Sequence, residues 1–331
     1  MQIGRRSLLG LGAAAVISAA TGCSMRQDDG GLAGPIAEPT PTTPPVPTPA
    51  AGFPGQPRPG QMYYGASVPY GRSLREWERE LESTLALHRS YFKPDDNETG
   101  QLIHRCQDDL SHGRLPHVSI KPTWPWSDFA NGSHDYWMDK LLETLGDLSA
   151  PLIFTLHHEP ENDVHPNGRE PADYVAMQRR LLERAASRAP EVIVAPVLQH
   201  WTFDPLRTDI DPSEWLVPEA NVLGLDIYNP WSVENGKEWR SFGSKMDEVM
   251  GWFDGKPMVI GEYGCRNDPS NPGLSAEWLR DAAAYGLQHG FVSMSYFNSG
   301  VQSPDGTWAL SGDMEQAFKE MLNSDWVARP A

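Results

Sequence analysis

The chain has 331 residues, 27 of them Lys or Arg and 44 Asp or Glu, for a formal net charge of −17. Negative charge on that scale repels phosphate backbones and anionic bilayers, which excludes nucleic acid as a partner and leaves a covalent lipid as the route to a membrane. Hydrophobic residues make up 39%, while Gly and Pro number 30 each and Pro crowds into one stretch, so the length is not all one folded body.

Residues 1–23 read as a Tat-type signal peptide. Arg5 and Arg6 stand before Leu8 and Leu9 in an apolar run from Ser7 to Gly22 that contains no acidic residue. The run is shorter than the about 20 apolar residues of a membrane span. Ala20-Thr21-Gly22-Cys23 resembles a bacterial lipobox, which implies a lipidated Cys23 and a chain that is exported and either lipid-anchored on the outer face of the cell membrane or secreted. Residues 24–60 include Pro39-Thr40-Pro41-Thr42-Thr43-Pro44-Pro45 and hold too few apolar side chains to bury a core. They read as a disordered linker biased to extended polyproline II.

Residues 61–331 alternate short apolar runs with longer amphipathic patterns. Strands are predicted at 62–66, 88–92, 117–121, 152–157, 192–197, 222–228, 258–262 and 292–297. Helices are predicted between them, except between Val197 and Val222, where Pro205, Pro212 and Pro218 break the pattern. Eight βα units in this length match a (β/α)8 TIM barrel, for which about 250 residues is usual. An open doubly wound sheet is the alternative, but no Gly-rich phosphate loop follows any predicted strand. Cys106 and Cys265 are expected as free, buried thiols, and the domain is expected to be a monomer.

A TIM barrel carries its chemistry where strands end, so the positions where each apolar run turns polar are the ones that count. Three stand out: Leu156-His157-His158-Glu159-Pro160 after the fourth strand, Leu225-Asp226-Ile227-Tyr228-Asn229 after the sixth and Ile260-Gly261-Glu262-Tyr263-Gly264 after the seventh. The fourth and seventh strands face each other across the barrel mouth. Two carboxyl groups aimed into one cleft suit retaining glycoside hydrolysis, in which one protonates the leaving oxygen and the other attacks the sugar carbon. A single strand-end Glu more often caps a helix or pairs with an Arg; two on these strands favour the catalytic reading.

Glu on strands four and seven of such a barrel resembles the large clan of retaining glycosidases, and His158-Glu159 resembles glycoside hydrolase family 26, best known for endo-β-1,4-mannanases. The resemblance implies that Glu159 is the general acid/base, that Glu262 is the nucleophile, that Tyr228 hydrogen-bonds the nucleophile, and that His158 contacts the sugar or the acid/base. It implies a β-linked polysaccharide substrate and no metal or organic cofactor. The family usually carries Arg four residues before the acid/base and an aromatic run after it; here Thr155 and Glu161-Asn162-Asp163 take those places.

Of the twelve Trp, Trp124, Trp126, Trp231 and Trp308 fall on predicted strand-end loops and are expected, with His158 and Tyr228, to contact sugar. Trp201 lies on another such loop. Two other classes fit less well. A metal-dependent hydrolase would use the bunched His157, His158, Glu159, Asp163 and His165, but adjacent strand residues point to opposite faces. A non-catalytic glycan-binding lipoprotein would keep the Trp but has no need of two facing carboxylates.

Overall fold

The computed structural model describes residues 52–68, 71–164, 169–301 and 306–330. The expected signal segment, Cys23, residues 24–51 of the linker and His165 lie outside the described residues. The described part falls within one compact unit, Val46–Ala331.

Nine strand segments form one sheet: β1 (Tyr63–Ser67), β2 (Leu87–Phe92), β3 (Leu115–Ile120), β4 (Leu152–Leu156), β5 (Val192–Val194), β6 (Val197–Gln199), β7 (Leu223–Asn229), β8 (Met258–Cys265) and β9 (Ser293–Tyr296). Their order is β5-β4-β3-β2-β1-β9-β8-β7-β6, and every pairing is parallel. The two ends of that order, β5 and β6, are one interrupted strand. Pro196 has no N–H to donate, which breaks the ladder, yet Ala195 N donates to Phe154 O at 3.0 Å and Gly224 N to Pro196 O at 2.7 Å. The ring therefore closes, and the fold is a (β/α)8 barrel with a split fifth strand.

Helices return the chain between strands: α1 (Leu74–Leu81), α2 (Asp96–Ser111), α3 (Trp126–Ala130), α4 (Asp135–Gly146), α5 (Pro171–Arg188), α6 (Phe242–Met250), α7 (Pro272–Gln288) and α8 (Asp313–Leu322). Caps set several starts: Ser73 accepts from Glu76 N, Asp95 from Glu98 N and Ser241 from Ser244 N. The Pro-rich connection before β7 has only 3₁₀ turns, His200–Phe203 and Pro212–Glu214, as its prolines require. No helix of the described residues is long and apolar enough to cross a membrane. Cys106 and Cys265 are free and buried.

Strand alternation sorts the side chains into two cores. Outward-facing residues such as Tyr64, Phe154, Leu156 and Ile260 pack against the helices. Inward-facing Tyr63, Leu87, Leu115, Ile153, Ile193 and Val259 form an apolar layer low in the barrel, so the polar residues above them sit on a dry floor. Phe53 packs against that layer from below, and a Cβ on Gly55 would lie 2.5 Å from Pro151 Cβ. This corrects the boundary at residue 60: the packed body takes in residues assigned to the linker, because the barrel floor offers Phe53 an apolar face. A chain beginning at Gln61 should melt several degrees below one beginning at Gly52, and Phe53→Ala should reproduce most of the loss; equal melting temperatures would return Phe53 to the linker.

Candidate active site

Glu262 is in the seventh barrel strand, β8, and faces inward because of an irregularity there. Leu225 pairs with Ile260 but Asp226 pairs with Glu262, so Gly261 is extra, and the β8–β9 register shifts over the same residues. With Val259 inward and Ile260 outward, strict alternation would send Glu262 out. The bulge reverses the phase, so Glu262 points into the barrel and Tyr263 points out to meet the Tyr64 hydroxyl at 2.6 Å. Only glycine suits position 261, since a Cβ would lie 2.6 Å from Asp226 Oδ1.

Two phenols hold the Glu262 carboxylate. Tyr91 at the end of β2 donates to Oε1 at 2.7 Å, and Tyr228 in β7 donates to Oε2 at 2.6 Å. Burial, then the charge of Glu262, pushes both phenols well above their usual range, so they keep their protons. Both Glu262 oxygens therefore accept, which orients the carboxyl group in the cavity.

Glu159 follows β4 on a strained turn. His157 and Glu159 have φ of 58° and 50°, unusual for residues with a Cβ. The chain is pinned on both sides: His157 N donates to Ile120 O at 2.8 Å and Glu159 N to Val197 O at 2.9 Å. The Trp126 indole donates to His157 Nδ1 at 3.1 Å, so the proton is on Nε2, which donates to Asp163 at 3.0 Å. Asp163 also holds Lys121 at 2.7 Å. Burial alone would raise Asp163, but those two partners outweigh it and hold the carboxyl well below the usual range. His157 is fully buried and kept neutral mainly by that burial; it braces the turn.

The Glu159 carboxyl accepts from Asn162 Nδ2 at 3.0 Å and from Gln199 Nε2, both neutral donors. Burial, and then the charge of Glu262, pushes it up to about 8. Behind it, buried Glu161 accepts from Gln199 N at 2.9 Å and the Thr202 hydroxyl at 2.6 Å, fixing the segment that carries Gln199.

A third carboxyl group, Asp226 in β7, is fully buried, and neither oxygen has a hydrogen-bond partner among the described residues. One oxygen each of Glu159, Asp226 and Glu262 lie within 4.8 Å of one another. Burial first, and then Glu262 and Glu159, raise Asp226 well above the carboxylate range. Burial and mutual charge thus bias Glu159 and Asp226 toward their protonated forms, while both Glu262 oxygens accept from phenols. Below the trio the buried Arg89 guanidinium, 4.5 Å from the Tyr91 ring centre, supplies a positive charge. Among the described residues the trio is also the group of carboxylates, His and Cys close enough to share a cation.

These groups line a cavity of about 560 Å³ together with His158, Asn162, Gln199, Trp201, Lys245, Phe297 and Trp308. His158 Nδ1 lies 2.9 Å from Ser119 Oγ, and burial keeps the ring neutral. His157 and His158 thus turn to different partners and do not converge as a metal pair would. Of the expected Trp contacts, Trp308 is on the cavity wall, 4.7 Å from the Tyr228 ring. Three are not. Trp126 is fully buried beneath His157 and against Tyr174, because α3 forms where a loop was expected and turns it inward. Trp124 stacks on His134 at 4.4 Å, and Trp231 packs edge-on against Trp239 at 5.2 Å; neither lines the cavity.

Tyr91, Asp226 and Gln199 were not singled out from sequence. Asp226 had a signal, a lone acid inside the apolar run Leu223-Gly224-Leu225-Asp226-Ile227. Tyr91 and Gln199 had only their places at strand ends.

No protein-family model matches the chain, and no curated protein does. Solved structures do match. GH26A from Muricauda sp. MAR_2010_75 aligns with a TM-score of 0.54 at 14% identity, over 82% of this chain and 92% of that one. The exo-β-1,4-mannosidase Op5Man5 from Opitutaceae bacterium strain TAV5 aligns at 0.57 and 14%, over 79% of this chain and 59% of that one. Thermotoga maritima Cel5A, solved with mannotriose, aligns at 0.51 and 13%, over 78% and 98%. The chain therefore has the (β/α)8 fold seen in these glycosidases.

Gly261→Ala tests the bulge. The added methyl must displace the Asp226 carboxyl in a packed barrel, so the variant should lose about 1–3 kcal/mol of stability. An unchanged melting temperature would show that the bulge does not depend on glycine.

Proposed function

We propose that the protein is a retaining glycoside hydrolase acting on a β-linked glycan, most simply an endo-acting β-1,4-mannanase. The observation that carries this reading is the pair Glu159 and Glu262: carboxyl oxygens within 4.8 Å, one group accepting from two phenols and the other pushed up to about 8. Retaining enzymes place the two groups about 5–5.5 Å apart, whereas inverting enzymes need about 6.5–9.5 Å to admit a water between them.

In the first step a Glu262 oxygen attacks the anomeric carbon as the glycosidic C–O bond breaks, and Glu159 gives its proton to the departing oxygen. The product is a glycosyl ester on Glu262. Glu159, now ionised, takes a proton from water, whose oxygen attacks the same carbon and releases Glu262 as carboxylate. Tyr91 and Tyr228 keep the nucleophile aimed, and half-buried Trp201 on the cavity wall is placed to meet a sugar ring, whereas Trp308, 7% exposed with Arg266 4.0 Å over its ring, shapes the wall. The mannan preference rests on the mannanase, mannosidase and mannotriose complex among the structural neighbours and on the His158-Glu159 resemblance.

Export through residues 1–23, with a lipid on Cys23 and the Pro/Thr stretch as spacer, completes the proposal. Loss of the protein from the membrane fraction in Cys23→Ala would support it, and an unchanged distribution would count against it.

The acid role fixes the pH dependence. Glu159 works protonated, so kcat/KM on β-mannan should hold level below about pH 8 on that limb and fall tenfold per unit above it, with the anomeric configuration retained by proton NMR. Glu159→Ala should lose about 10²- to 10⁴-fold and the alkaline limb with it. Inverted product, or an alkaline limb that survives in Glu159→Ala, would overturn the assignment.

A further inference from the structure

Beside the catalytic cavity lies a second one of about 690 Å³, and the two share Tyr91, Phe297 and Val301 as a common wall. It contains neither Glu159 nor Glu262. Its charge is the reverse of the chain's: Arg72, Arg75, Arg89 and Arg105 line it against one acid, Asp108. In a protein of net charge −17 this is a local inversion of sign.

The guanidiniums around it are matched by carboxylates except at Arg105. Arg75 holds Asp108 at 3.0 Å, and Arg114, which also reaches Asp108 at 2.7 Å, has Glu78 at 3.0 Å and Asp109 at 2.8 Å as well, so that network carries its own acids. Arg72 pairs with the exposed Glu80. Arg105 makes no hydrogen bond or ion pair among the described residues, whereas Arg89, 1% exposed and without a hydrogen-bond partner, already has its charge set against the carboxyl trio. Of the histidines, His88 is engaged by Asp109 at 2.9 Å and His104 is exposed. Val68, Leu74 and Phe92 supply apolar wall between the charges, as a sugar ring requires.

The chemistry sets which part of a glycan would reach this cavity. Glu159 protonates the leaving oxygen, so the departing portion lies toward Asn162, Gln199 and Trp201. The retained portion lies over Glu262, and Tyr91, which donates to Glu262, is also the threshold of the second cavity. We propose that this cavity is a subsite for a sugar bearing a carboxylate, so that the protein's substrate is an acidic β-glycan whose retained end carries a uronate or similar acid. The planar guanidinium fork matches a carboxylate and releases less hydration than an ammonium would on doing so. The same sign recurs at the leaving-group end, where Lys245 lines the catalytic cavity without an ion pair among the described residues. The proposal rests on the glycosidase reading.

The test measures binding and turnover separately on the full chain. β-1,4-linked manno- and gluco-oligosaccharides are compared, each neutral and oxidised at C6 to the uronate, by titration calorimetry and by product mass analysis. The oxidised forms should bind about 10- to 100-fold more tightly than the neutral ones, as charge-assisted hydrogen bonds predict, with the preference shrinking as salt rises. Arg105→Gln, which touches no catalytic group, should remove most of the preference while leaving binding of the neutral forms unchanged; Arg72→Gln should act in the same direction. Equal binding of neutral and oxidised forms, no binding of either, or a preference untouched in Arg105→Gln would overturn the subsite. A preference that disappears in Arg105→Gln without hydrolysis of any glycan would support the subsite and defeat the hydrolase reading instead.

Discussion

Three carboxyl groups within 4.8 Å, in the mouth of a barrel with an apolar floor, set the terms for the rest of the site. Three negative charges at that distance in a poorly hydrated cavity repel too strongly to coexist. Asp226 and Glu159 are pushed up by burial and by Glu262, while Glu262 receives two phenol hydrogen bonds and stays the acceptor. Buried Arg89 supplies compensating charge from below. The difference between Glu159 and Glu262 is thus a consequence of where each carboxyl sits, since both are the same residue type with the same intrinsic acidity.

Holding that arrangement requires backbone that ordinary strand geometry would not provide. The extra residue at Gly261 turns Glu262 inward, and the positive φ of His157 and Glu159 carries the acid out of β4. Neither departure is left unsupported. Asp226 occupies the space that a side chain at 261 would fill, and the Trp126–His157–Asp163–Lys121 chain of contacts braces the turn. Irregular backbone at these two strand ends sets the directions of Glu159 and Glu262, and the regular ladder lies beneath it.

The charge distribution extends the same logic outward. A strongly acidic chain keeps Arg72, Arg75, Arg89 and Arg105 together at the margin of a cleft whose centre is carboxylic. Cations there offset the repulsion that an acidic surface would impose on an anionic ligand, and their placement beside Tyr91 sets them next to the cavity that holds Glu262. A local field of this kind governs which ligand enters, whatever the net charge of the whole.

Much of this was open to reading in the residues alone. Short apolar runs and their turn-bounded spacing determined eight barrel strands, since a strand buried on both faces must be short and apolar. The polar residues ending the fourth and seventh runs located Glu159 and Glu262, because a barrel presents strand ends to solvent. What the residues could not decide depends on phase and on distant neighbours. Whether Glu262 faced in or out turned on one extra residue in a pairing ladder. Whether Trp126 met sugar or core turned on a five-residue helix too short to leave a periodic signal. Phe53 looked like linker until the barrel floor gave it a partner. Asp226, Tyr91 and Gln199 joined the site only when strands remote in sequence were brought side by side, because proximity between carboxyl and hydroxyl groups is a property of the closed ring and is written in no single segment.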